Sequence, residues 1–245
     1  NNDYNYNSIF YLDEKEVYDM FHSPFFKGGG SLDKGGMHLH PLNYALGLAK
    51  AAEQAGVMIF EESKVIDYQG SDKKVINTDK GQVTANTIVL ACNAYLERLE
   101  TKIAGKIMPI NNFVLATEPL DEGEARYINK FHVHYFRMSQ DNRLLFGGGE
   151  NYARKFPSNL KSYVRKTMLD VFPKLENKRI DFAWGGTIAV TVNRMPHIGK
   201  LDSGVYFSHG FSGHGIALAS LAGTIMAEAI DGFSKRFDVF NEVKI

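Results

Sequence analysis

One stretch limits the fold of this 245-residue chain more than any other. Gly204-Val205-Tyr206-Phe207-Ser208 reads as a strand, Gly210-Phe211-Ser212-Gly213-His214-Gly215 as a glycine-rich turn, and Gly215 to Ile230 as a helix apolar nearly all round. A strand feeding a helix through glycines belongs to α/β architecture. A helix without a polar face is expected in an interior, and Gly232 is placed to end it. The turn admits two readings. Glycines let a ligand approach the backbone, and the free amides of a helix N-terminus favour an anion or growing negative charge. An ordinary tight connection would use the same residues.

Earlier segments follow the same pattern. A helix is expected from Asp13 to Phe21, closed by Ser23-Pro24, with a turn at Gly28-Gly29-Gly30. Pro41 suits a first helical position. Leu42, Leu46, Leu48, Ala49 and Ala52 supply an apolar stripe, and Gly56 is a good C-terminal cap. Val57-Met58-Ile59-Phe60 then reads as a short apolar strand, and Lys64 to Tyr68 and Lys74 to Thr78 as two more. Thr87 to Ala91 is apolar on both faces, as in a buried parallel strand, and ends in the small Cys92-Asn93-Ala94. Ligands sit at the carboxyl ends of such strands.

The middle of the chain changes character. Ile107 to Thr117, Phe131 to Arg137, Arg143 to Phe146, Arg179 to Trp184 and Thr187 to Asn193 are strand-like and suggest an antiparallel sheet. Gly147-Gly148-Gly149 reads as a strand-end bend. One helix interrupts, from an N-cap at Ser158 to Phe172, where Pro173 stops it.

Charge and composition exclude several functions. Twenty-eight basic residues balance 28 acidic ones, so electrostatic nucleic-acid binding is not expected. The single cysteine, Cys92, excludes an internal disulfide framework and a cysteine-rich zinc site. The longest apolar stretch, Ile216 to Ile230, contains Glu228 and is too short for a membrane span, and no signal-peptide pattern opens the chain. A cytoplasmic protein is the expectation. There is no Gly-x-Ser-x-Gly elbow and no phosphate-loop sequence. His38 with His40 and His132 with His134 could each present two imidazoles on one strand face, but no acidic ligand motif accompanies them, and no metal is expected. Arg194 is either a surface cation or an anchor for a carboxylate.

Taken in order, these motifs resemble the D-amino-acid-oxidase-like (DAO) family of FAD-dependent oxidoreductases, with the γ-glutamylputrescine oxidoreductase branch as the nearest likeness. The residues carrying it are Asp33 to Asn43, Thr87 to Tyr95, Arg143 to Gly149, Asp181 to Gly186, Arg194 to Gly199 and Gly210 to Gly215. The likeness runs from about Leu12 to the C-terminus. It implies an α/β (mixed α+β) fold in which a partial FAD/NAD(P)-binding Rossmann-like domain, over 28–100 and 195–235, is interleaved with an antiparallel β-sheet substrate domain over 1–27 and 101–194. Residues 236–245 are left as a tail.

The resemblance also implies site residues. Gly210, Phe211, Ser212, Gly213, His214, Gly215 and Ile216 match the turn whose amides face the pyrimidine end of the flavin, where they would stabilise charge as the ring is reduced. Val65 matches a strand residue whose backbone meets the adenine. Ala91, Cys92 and Asn93 match a small-residue strand end beside the cofactor, with Asn93 where many relatives carry glycine. His38, Tyr152, Trp184 and Arg194 fall on segments that line the substrate side, and His38 is the candidate for taking a proton from the amine. A small-molecule amine or amino acid is the implied substrate, with hydride transfer from the carbon next to nitrogen.

One departure is large. The family opens with a strand, Gly-x-Gly-x-x-Gly, a helix and an acidic ribose ligand, and the sequence contains none of these. A C-terminal portion of a longer flavoenzyme is therefore expected, its exposed apolar face suited to that N-terminal segment or to self-association. A truncated module that binds a partner or small ligand without flavin is the alternative.

Overall fold

The computed structural model describes residues 5–70, 72–128, 136–153 and 155–245. It falls into two units, one holding the chain up to His38 with Asn111–Gly186, the other Leu39–Ile110 with Thr187–Ile245. The divisions lie at 38/39, 110/111 and 186/187, where the motif pattern places them at 27/28, 100/101 and 194/195.

In chain order the first unit begins with β1 (Ile9–Leu12), α1 (Glu14–Phe21) and β2 (Gly30–Asp33). The second then takes α2 (Pro41–Gln54), β3 (Val65–Gln69), β4 (Lys74–Thr78), β5 (Gln82–Ala85), β6 (Val89–Leu90) and α3 (Thr101–Ala104). β7 (Ile107–Pro119) leads back to the first unit, which adds α4 (Glu122–Ile128), β8 (Phe136–Met138), β9 (Arg143–Asn151), α5 (Leu160–Val171) and β10 (Ile180–Thr191). β11 (His197–Lys200), β12 (Tyr206–His209), α6 (Gly215–Ile230) and α7 (Lys235–Asn241) complete the second.

The first unit is built on a sheet of order β10-β7-β9-β8, antiparallel where β7 and β8 flank β9. Phe113, Leu115 and Leu144 from the sheet pack with Val164 and Met168 of α5 and with Val17 and Phe21 of α1. The register of β7 on β9 shifts between Ala116 and Pro119, and there the buried Thr117 hydroxyl accepts the Leu144 N–H at 3.0 Å in place of a ladder bond. The three glycines expected at a strand end lie inside β9 instead. A Cβ at Gly149 would stand 2.6 Å from the Tyr163 ring and one at Gly148 3.3 Å from Thr167, so these two glycines let α5 lie close to the sheet. β10 likewise runs unbroken where two strands were expected. A Cβ at Gly185 would stand 2.6 Å from Phe113, which makes this glycine a packing residue rather than a turn residue.

Local capping follows the sequence closely. Asp13 caps α1 in a reciprocal box: the Glu16 N–H donates to Asp13 Oδ1 at 2.8 Å, and the Asp13 N–H to Glu16 Oε2 at 2.9 Å. Asp13→Ala is expected to cost about 1 kcal/mol, read from the midpoint of denaturant unfolding of the first unit. α5 starts one residue beyond the Ser158 cap expected, because Asn159 Oδ1 accepts the Ser162 N–H.

In the second unit β11 pairs antiparallel with β12, and β12 pairs parallel with β6, with Tyr206 opposite Val89. β3, β4 and β5 form an antiparallel meander. Ala222, Ile225 and Met226 of α6 pack with Ile198, Tyr206 and Phe237. The expected tail is thus partly helical: α7 buries Phe237, whose ring lies 5.4 Å from that of Tyr206.

Four expectations fail here for one reason. α2 forms as predicted from Pro41, but none of its residues is buried, and Leu42 and Leu46 are 61% and 59% exposed. Val57 to Phe60 make no strand and are exposed, Met58 at 79%. α6 buries three of its sixteen residues rather than its whole circumference. β6 shrinks to two residues, with Val89 exposed. Periodicity shows which surfaces are apolar; burial needs an element to cover them, and a strand needs a neighbour to pair with.

Candidate functional site

The second unit gathers its chemistry at the carboxyl ends of the parallel strands β6 and β12. Beyond β12 the chain passes through Gly210 (φ +70°), Ser212 (φ +51°) and Gly213 (φ +95°) and enters α6 at Gly215. Four hydrogen bonds pin this turn. The Gly210 N–H donates to Asn93 Oδ1 at 3.1 Å. The Ser212 N–H donates to the Ala189 carbonyl at 3.0 Å. The Ser212 hydroxyl donates to the Gly210 carbonyl at 3.2 Å and accepts the Thr191 N–H at 3.4 Å.

The glycines of the turn differ in purpose. A Cβ at Gly210 would lie 2.4 Å from Thr191 Cγ2, so this glycine is required by packing as well as by its backbone angle. A Cβ at Gly213 would meet nothing within 4 Å, so its backbone faces open space. His214 stands at the N-cap of α6 without a side-chain cap hydrogen bond. The first-turn amides, with the positive end of the helix dipole, therefore border the exposed part of the turn.

Beside the turn lies an apolar cavity of about 370 Å³, lined by Val89, Ala91, Ser208, Phe211, Gly223 and Met226 among others. The buried Ser208 Oγ has no hydrogen-bond partner among the described residues. Ala91, Asn93, Gly210 and Phe211, singled out from the sequence as cofactor residues, thus come together around one strand-end region. Cys92 packs partly buried against the Ile88–Leu90–Leu96 cluster, and desolvation raises its thiol pKa, the signature of an unreactive cysteine. Val65 opens β3 of the meander, opposite Thr78.

The four substrate-side candidates divide between the units. His38, Tyr152 and Trp184 belong to the first. His38 Nδ1 lies 3.4 Å from an Arg137 guanidinium nitrogen. Tyr152 follows the end of β9 and Trp184 sits within β10, on strands separated by β7, and they are 72% and 47% exposed. Arg194 belongs to the second unit, exposed and in a left-handed turn (φ +65°) closed by its N–H on the Thr191 carbonyl. Among the described residues no three His, Cys, Asp or Glu side chains are grouped to hold a metal ion; His132 and His134 lie outside those residues. Among them, too, no single helix is long and apolar enough to cross a membrane.

The sequence reading missed the support beneath the turn. Ala189 and Thr191 grip it from β10, and the half-buried His197 and the buried His209 form an imidazole pair at its root, Nδ1 to Nε2 2.9 Å. Desolvation, with His197 as the lesser cause, lowers the His209 pKa to about 3; desolvation, with Lys106 as the lesser cause, lowers that of His197 to about 4. The signal was present: the two histidines are equally distant from the Asp202-Ser203-Gly204 turn, so a β11–β12 hairpin sets them opposite each other.

Known proteins resemble this chain in sequence and in fold. The family model described as FAD dependent oxidoreductase (DAO) matches residues 2–229. A probable oxidoreductase, OrdL, of Haemophilus influenzae is 42% identical over 231 residues, which cover 89% of this chain and 53% of that protein. The gamma-glutamylputrescine oxidoreductase of Escherichia coli is 39% identical over 222 residues, covering 86% of this chain and 52% of that protein. The chain spans about half the length of the curated relatives it matches. The crystal structure of glycine oxidase from Geobacillus kaustophilus shares the fold, with a TM-score of 0.81 at 20% identity over 97% of this chain and 67% of that one.

Proposed function

The chain belongs to the DAO family of FAD-dependent oxidoreductases, and we propose that it is the C-terminal, flavin-facing portion of an enzyme that oxidises an amine or amino acid. The observation that carries this reading is the turn Gly210–Gly215. It is pinned on one side by Asn93, Ala189 and Thr191, and open on the other, where Gly213 leaves its backbone uncovered. These residues fit a flat, electron-accepting ring. Glycine lets the backbone approach it, and the uncapped α6 amides favour negative charge that grows on it. FAD, when bound, supplies the redox chemistry by accepting a hydride from the carbon next to the substrate nitrogen. The protein's share is to hold the Gly213–Ile216 amides in place and to keep water from the apolar strand end at Ala91 and Phe211.

The relative named gamma-glutamylputrescine oxidoreductase favours an amine of that kind as the substrate. Trp184 and Tyr152 are proposed to offer aromatic surface to its alkyl chain, His38 to take a proton from its ammonium group, and Arg194 to receive a carboxylate. The exposed apolar faces of α2, Val57 to Phe60 and α6 are proposed to be covered by a preceding strand–glycine–helix segment that completes a Rossmann-like domain, with self-association as its substitute when that segment is absent.

The test is the visible absorption spectrum of the polypeptide after FAD addition and desalting. Retained flavin bands that bleach with γ-glutamylputrescine, and not with glycine, are the expected result. Bands that bleach only with glycine would replace the substrate. A polypeptide carrying the N-terminal segment that remains colourless would overturn the enzymatic reading in favour of a flavin-free binding module.

A further inference from the structure

We infer that Asn93 is a positioning residue: it acts one step behind the cofactor by fixing the Gly210–Gly215 turn, an inference that rests on the flavin reading above. The backbone of Asn93 lies at φ +48°, a region that glycine enters more easily than asparagine. Conformation alone would therefore favour glycine. What asparagine adds is an acceptor: its Oδ1 takes the Gly210 N–H at 3.1 Å. Gly210 is buried, so this donor would otherwise have no water to turn to. The contact joins the two strand ends at the point where β12 gives way to the turn. Gly210 cannot move the other way, because Thr191 Cγ2 occupies the space a Cβ would need. The turn is therefore held between an acceptor on β6's side and a methyl group on β10's.

Hydrogen exchange at the Gly210 amide, in the polypeptide as expressed from its own gene, tests this without reference to activity. Asn93→Gly keeps the backbone angle and removes the acceptor, and is expected to speed exchange about five- to tenfold. Asn93→Asp keeps an acceptor in place and is expected to retain the protection. In the FAD-loaded protein, Asn93→Gly is further expected to lower the flavin midpoint potential, because amides that stabilise the reduced ring lose their alignment. A Gly210 amide equally protected in Asn93→Gly would overturn the inference. So would a potential unmoved in a variant whose amide has been freed. Native protein that protects the amide through Asn93 but never binds FAD would uphold the latch and refute the flavin reading instead.

Discussion

Gly210→Ala is expected to destabilise the second unit by about 3 kcal/mol, whereas Gly213→Ala, three residues on, should cost about 1 kcal/mol. Both positions have positive φ, +70° and +95°, so both substitutions carry the left-handed penalty. They differ in what the new methyl meets. At Gly210 it lands 2.4 Å from Cγ2 of Thr191, whose backbone N–H and hydroxyl are engaged by Ser212 and Met195, so the neighbour has little freedom to yield. At Gly213 it enters open space. The functional ranking should be the reverse. Gly213→Ala places a methyl where the proposed ring approaches, and FAD retention should fall at least about tenfold with little loss of fold, since each ~1.4 kcal/mol is a factor of ten. Denaturant midpoints and FAD titration of both variants decide the matter. Equal destabilisation by the two would show that Thr191 does not set the turn, and unchanged FAD affinity in Gly213→Ala would remove this glycine from the cofactor site.

Stability should fall by about 5 kcal/mol between pH 6.5 and 4 through the His197–His209 pair, each imidazole contributing roughly half. The sign follows from which state binds protons. Unfolded, both imidazoles titrate near 6.5; folded, burial holds them neutral down to about 4 and 3. Across that window the unfolded chain takes up protons that the native chain refuses, so acid favours unfolding. The carboxylates act lower. The Arg179 and Arg143 guanidiniums hold Asp181 down to about 2, so its contribution persists above its unfolded value of 3.8 and is lost only as pH falls below that. His209→Gln should therefore flatten the profile between pH 6.5 and 4 while leaving the steeper acid limb intact. A variant that keeps the full slope would assign the window to other groups.

Much of the fold could be read from the residues themselves. The helix start at Asp13, Pro41, and Gly56 (φ +91°) marked helix ends that the structure reproduces, because capping is decided within a few residues of chain. The strand–turn–helix at Tyr206 to Ile230 was legible for the same reason, as was the family, since its motifs occur in one order along the chain. The glycines were harder. Gly148, Gly149 and Gly185 looked like turn residues and are packing residues, a difference that depends on Tyr163, Phe113 and Phe156 arriving from elsewhere in the sequence.

Sequence alone determined where α2 and α6 begin and end, which of their surfaces are apolar, and that glycines join β12 to α6. Tertiary structure alone decided which apolar surfaces are buried, that Asn93 and Thr191 hold Gly210 while Gly213 is left open, and that His197 meets His209. The physical reason is range. Caps, turns and periodicity are settled by groups a few residues apart, whereas burial and hydrogen-bond partnership depend on residues that only the folded chain brings within a few ångströms.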